Sequence, residues 1–162
     1  MVCQEVNMEI QFILERVHTR NIFSTRAYRI FFTDTEIYFI HLGEDASQLP
    51  LGQVLGGLAG AIGQSIAEKQ TEKAISGKLD QLEAEGLDNV IAKDKRSFKA
   101  LYSHLESFKS DSYKWNRWPH VTFKIRGKGS FKFTFDLQME NLEDERQAIV
   151  EFMRDKCPNL VK

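Results

Sequence analysis

Residues 27–43 read AYRIFFTDTEIYFIHLG, two runs of β-branched and aromatic residues divided by Thr33-Asp34-Thr35. Such runs suit pleated strands and a short polar break suits a tight turn, so the stretch predicts a hairpin. The pattern returns in its clearest form at residues 121–137. There Val121, Phe123 and Ile125 alternate with Thr122, Lys124 and Arg126, and then Phe131, Phe133, Phe135 and Leu137 alternate with Ser130, Lys132, Thr134 and Asp136. Gly127-Lys128-Gly129 supplies the turn between the two runs. One face of this second hairpin is expected in a core, and the other is polar.

Working outward from the two hairpins, Val6, Met8, Ile10, Phe12 and Leu14 alternate as a first strand with one buried face, followed by a connection, ERVHTRNIFSTR, over residues 15–26. SFKAL and LESFKSDSY read as two shorter strands joined at Tyr102-Ser103-His104. The chain closes with a helix. Asn141 is placed to cap it, Glu143, Asp144 and Glu145 suit the positive end of its dipole, and Pro158 stops it. Its apolar stripe is Ile149, Phe152, Met153 and Cys157, which predicts packing on a sheet. Between about Gly52 and Glu85 the composition changes to Gly, Ala, Gln, Glu and Lys with few aromatics, which reads as one or two helices between strands.

A length of 162 residues, with 42% hydrophobic and 28% charged residues, fits one globular domain spanning 1–162. Cys3 and Cys157 stand alone at opposite ends, so neither a disulfide framework nor a zinc site is expected. The N-terminal residues lack a basic region and an apolar stretch of signal-peptide length, which leads to the expectation of a cytoplasmic protein. The net charge is only −1, but it is unevenly placed. Residues 93–132 are strongly basic and opposed only by Asp94, Glu106 and Asp111, whereas residues 140–155 are acidic.

AYRIFFTDTEIYFIHLG resembles the second and third strands of pleckstrin-homology-like (PH-like) domains of the bacterial and GRAM-like sort, in which a Thr-Asp turn precedes an Ile-Tyr-Phe strand. SFKALYSHLESFKSD resembles a later region of the same domains, and the phenylalanine-rich hairpin with its final helix completes the pattern. The resemblance covers roughly residues 6–42 and 96–157. It implies an α+β fold, a bent seven-stranded antiparallel barrel capped by a C-terminal helix. Residues 46–93 would then be an inserted helical segment between strands 3 and 4. It also implies a non-catalytic module that binds an anionic membrane lipid or a protein segment, peripheral at a membrane in the lipid case.

The glycine-rich run LGQVLGGLAGAIGQSIAEK, residues 51–69, fails as a phosphate loop: Gly63-Gln64-Ser65 lacks the required lysine and Leu58 stands where the first glycine should be. It contains no GxG pair for a dinucleotide either. Residues 46–67 are uncharged, but few are large aliphatics and Pro50, Gln48, Gln53 and Gln64 oppose a stable span. Leu51, Leu55, Leu58, Ile62 and Ile66 recur at helical spacing, while Gly52, Gly56 and Gly60 form a line of small residues that would let another helix or sheet approach closely. A homo-oligomeric scaffold assembled through these helices is therefore the alternative function.

In PH domains cations on the first strands hold anionic headgroups; that region here supplies Arg16, His18, Arg20, Arg26 and Arg29. The stretch YKWNRWPH, residues 113–120, sets Trp115 and Trp118 beside Lys114 and Arg117, which suits a membrane interface or a partner groove. The residues expected to bind ligand are Arg16, Arg20, Lys114, Trp115 and Arg117, while Trp118, before Pro119, is expected to cover the end of the barrel. A pI of about 6.4 argues against nucleic acid as a partner. His18, His41, His104 and His120 are scattered and form no catalytic or metal-binding spacing, so no enzyme activity, cofactor or metal is expected.

Overall fold

The structure is a computed structural model and describes residues 8–20, 24–44, 58–112, 118–136 and 140–162, with backbone alone for residues 58–68. In chain order the elements are β1 (Ile10–Arg20), β2 (Thr25–Thr33), β3 (Glu36–Glu44), α1 (Leu58–Glu85), α2 (Leu87–Lys93), β4 (Phe98–Leu101), β5 (Leu105–Asp111), β6 (His120–Ile125), β7 (Gly129–Phe135) and α3 (Leu142–Lys156). The strands form one antiparallel sheet in the order β4-β3-β2-β1-β7-β6-β5. This order, closed off by a C-terminal helix, is compatible with a PH-like fold. Two helices lie between β3 and β4, where the inserted helical segment is expected.

Among the described residues the two halves of the sheet meet where β1 and β7 pair through Val17 with Phe135 and His18 with Thr134. The two halves face each other across the inner core: Phe39 of β3 packs against Phe123 of β6 at 5.3 Å and Phe133 of β7 at 5.6 Å between ring centroids. Phe32, Phe108 and Phe135 are buried in the same inner core. Among the described residues no ladder joins β4 to β5, so the barrel is not closed by hydrogen bonds. The 3₁₀ turn Tyr102–His104 spans the gap instead, taking a bond from Tyr102 N–H to Thr35 O at 3.2 Å and accepting one at His104 O from Arg126 N–H at 2.8 Å.

α3 runs from Ser110, bonded by Arg146 at 3.0 Å, to Gln11, bonded by Lys156 at 2.9 Å. It buries Ile149 and Met153, and its Phe152 stacks on Phe12 at 5.3 Å, so the predicted stripe does face the sheet. Each large apolar side chain so buried is worth about 1.5–3 kcal/mol. Asn141 sits at the N-cap position but its side chain makes no capping bond; the three acids of the first turn still complement the dipole. Beyond α3, Leu160 and Lys162 lie along β5: Phe108 N–H donates to Leu160 O at 2.8 Å and Lys162 N–H to Phe108 O at 3.0 Å.

β2 and β3 are buried on both faces, which is why their sequence is apolar almost throughout rather than alternating. Ile30, Phe32, Ile37 and Phe39 face the inner core. Phe31, Tyr38, Ile40 and Leu42 face an outer layer made by Ile75 and Leu82 of α1 and Leu87 and Val90 of α2. Gly86 separates the two helices at φ +80°, a conformation that glycine adopts without strain, and its N–H bonds Leu82 O at 3.0 Å. No helix of the described residues is long and apolar enough to cross a membrane.

The first strand departs from expectation. It extends to Arg20 rather than ending at Leu14, and Met8 and Ile10 are exposed at 38% and 43% instead of buried. One bulge falls between Ile10 and Phe12 and another between Leu14 and Val17. Each inserts a residue and breaks the period of two, so residues 15–20 read as a connection although they are strand.

Candidate functional site

The β2–β3 turn and the opposite, insertion end of the sheet carry different chemistry. After the second bulge β1 turns Arg16, His18 and Arg20 to the outer face at the insertion end. Arg16 Nη1 meets Glu72 of α1 at 2.9 Å and its Nε lies 3.4 Å from buried Asp136 at the end of β7. Arg20 stacks on Trp118, its guanidinium carbon 3.9 Å from the ring centre, and burial lowers its pKa while Asp136 opposes the shift. His120 is fully employed: its Nδ1 bonds Trp118 O at 2.9 Å and its Nε2 lies 3.2 Å from Asp111. Of the residues expected to bind ligand, Arg16 and Arg20 thus share one face, while Lys114, Trp115 and Arg117 lie outside the described residues.

A second polar node joins the insertion to β3. His41 N–H bonds Ser97 Oγ at 2.9 Å, and that hydroxyl donates to Asp94 Oδ2 at 3.0 Å. Asp94 also accepts from Arg96 N–H at 3.0 Å and lies 3.4 Å from Lys78 of α1. Burial works to raise the Asp94 pKa, but these hydrogen bonds and Lys78 prevail and hold it below its ordinary value. Burial lowers the His41 imidazole, whose Nε2 has no hydrogen-bond partner. Ser97, His41 and Asp94 occur together here, but the serine hydroxyl faces the carboxylate and a backbone N–H rather than the imidazole. The arrangement clamps a loop to a strand and is not that of a nucleophile with its base.

A concave surface of different character lies where the helices between β3 and β4 meet β1 and β2. A hollow of about 370 Å³ has Phe31, Leu79, Leu82 and Leu87 as its apolar lining, exposed Met8 and Ile10 at its mouth, and Arg29 and Glu83 at its rim. Arg29 is tied to Glu15, through the backbone oxygen at 3.2 Å and through the carboxylate. Met8 also lines an adjoining cleft of about 280 Å³ beside the β2–β3 turn, with Glu9, Asp34, Glu36 and Asp88 around it. Tyr38 donates to Glu36 at 2.8 Å there and lies 3.3 Å from Asp88. Burial, that bond and the Asp88 charge push its hydroxyl up to about 12. Lys99 bridges Glu36 and Asp88 at 3.1 and 3.0 Å, and its ammonium is held above the usual lysine value by the Asp88 hydrogen bond, with burial opposing.

Sequence reasoning did not single out the hollow. Its signal was present in Ile75, Leu79 and Leu82, spaced four and three apart on a helix, and in the second apolar face of β2 and β3, but pairing the two needs tertiary contact. Among the described residues no group of three or more His, Cys, Asp or Glu side chains could hold a metal ion. Comparisons with family models, with curated proteins and with solved structures give no match.

Proposed function

We propose that this chain is a non-catalytic, PH-like binding module of the cytoplasm whose ligand is a segment of another protein, received by the hollow between the inserted helices and β1–β2. The observation that carries this reading is the hollow itself, about 370 Å³ with an apolar lining and two charged side chains at its rim. That size and lining are those of a ligand site. Met8 and Ile10 continue the apolar surface outward, as a site for a protein side chain needs. The arginine face favours an anionic lipid less, because Arg16 lies between Glu72 and Asp136 and Arg20 is stacked on Trp118.

Panning a random twelve-residue peptide library on the intact chain tests the reading, with vesicles of neutral and of anionic lipid run in parallel. The expected result is a set of peptides whose binding is lost in the Met8→Gln/Ile10→Thr variant, with equal vesicle recovery for both lipids. Retention on anionic vesicles without such peptides would replace the protein segment by a lipid. A concentration-dependent dimer in light scattering, abolished by the same variant, would give the hollow to a second copy.

A further inference from the structure

The geometry points to a specific chemistry for that segment: a bulky apolar anchor seated in the hollow, flanked by a lysine or arginine that reaches the acidic cleft beside it. The inference rests on the proposed binding role and adds the character of the partner. Met8 lines both concavities, so a ligand in one borders the other. The charges around them are mostly of one sign. Glu9, Asp34, Glu36 and Asp88 surround the cleft and Glu83 stands on the hollow's rim; Lys99 bridges Glu36 and Asp88 and Arg29 is bound to Glu15, which still leaves carboxylates in excess. Glu9 and Glu83 have no ion-pair partner among the described residues.

The local groups register this field. The strongly held Lys99 proton responds to the Asp88 and Glu36 carboxylates, and these add to burial, the larger cause, in raising the Tyr38 hydroxyl. Charge complementarity therefore selects the occupant. An anionic lipid or a fatty acid would bring its negative group against the same carboxylates, whereas a cation next to an apolar anchor gains on both counts. Residues 1–7, which precede Met8, hold one glutamate and no lysine or arginine, so they lack the charge this site favours.

The experiment uses the panned peptides on the full chain. Lysine or arginine should be enriched next to the apolar anchor. In the Glu9→Gln/Glu83→Gln variant, which alters two exposed carboxylates that have no ion-pair partner among the described residues, binding should weaken about five- to tenfold and lose part of its salt dependence. Peptides that depend on Met8 and Ile10 but show no basic enrichment, or bind the charge variant unchanged, would overturn the inference while leaving the binding role standing. Failure to obtain any peptide that depends on Met8 and Ile10 would overturn both.

Discussion

Truncating Ile75 to alanine would separate the two layers of the fold. Ile75 lies on α1 with 7% of its surface exposed and belongs to the outer cluster with Tyr38, Ile40, Leu42 and Val90. The change removes three carbons at about 0.8 kcal/mol each, about 2.4 kcal/mol, and the cavity left behind raises the cost to about 3 kcal/mol. Ile75 has no place in the inner core, so the loss falls on the docking of α1 and α2 rather than on the bent sheet. About 3 kcal/mol corresponds to roughly a hundredfold rise in local opening. Hydrogen exchange read by mass spectrometry should show amides of residues 71–93 exchanging roughly a hundredfold faster, while those of residues 121–135 change by less than about threefold. Equal acceleration of both regions would refute a separable outer layer. No acceleration of either would refute the placement of Ile75.

Acidification should destabilise the fold through the buried His41 imidazole. Its folded pKa lies below its ordinary value because of burial, so the unfolded chain takes up the proton first; the associated stability is complete above pH of about 6.5 and is lost as pH falls below it, by at most about 1.4 kcal/mol per pH unit. Urea melts of the native chain and of His41→Gln between pH 7 and 5 should diverge in slope, and parallel slopes would count against a buried neutral imidazole. Gly86→Ala should cost about 1–3 kcal/mol in thermal melts, because φ +80° with ψ 165° is a backbone region essentially confined to glycine, even though the space is open. A double-mutant cycle of Arg16→Met with Glu72→Gln should give a coupling of only about 0.2–1 kcal/mol, since Glu72 is 63% exposed; a much larger value would mean the pair is shielded from solvent.

Much of the architecture was legible because local and global signals agreed. The β6–β7 hairpin, the turn at Tyr102–His104 and the face of α3 follow from periodicity and turn residues alone. At Thr33 the reading was also sound: its hydroxyl accepts from Glu36 N–H at 3.1 Å and donates to Glu36 O at 2.9 Å, the polar closure expected of that turn. The first strand was misread where bulges offset the alternation, so Val17 rather than Arg16 follows Leu14 inward. The site was least legible. Arg16 and Arg20 announced a charged face, but their pairing with Glu72, Asp136 and Trp118 joins residues up to far separated positions in the chain, which no local pattern encodes. Leu79 and Phe31 likewise reveal a hollow only once α1 is laid across β2.

The backbone bonds that Leu160 and Lys162 make to Phe108 cover the middle of the outer edge of β5. That edge would otherwise offer its amides to any extended chain nearby, the usual seed of intermolecular sheets. A chain trimmed after Pro158 is therefore expected to keep its inner core yet self-associate on warming. The colloidal behaviour of the protein thus depends on residues 159–162, beyond the packing that Leu160 and Val161 add to the inner core.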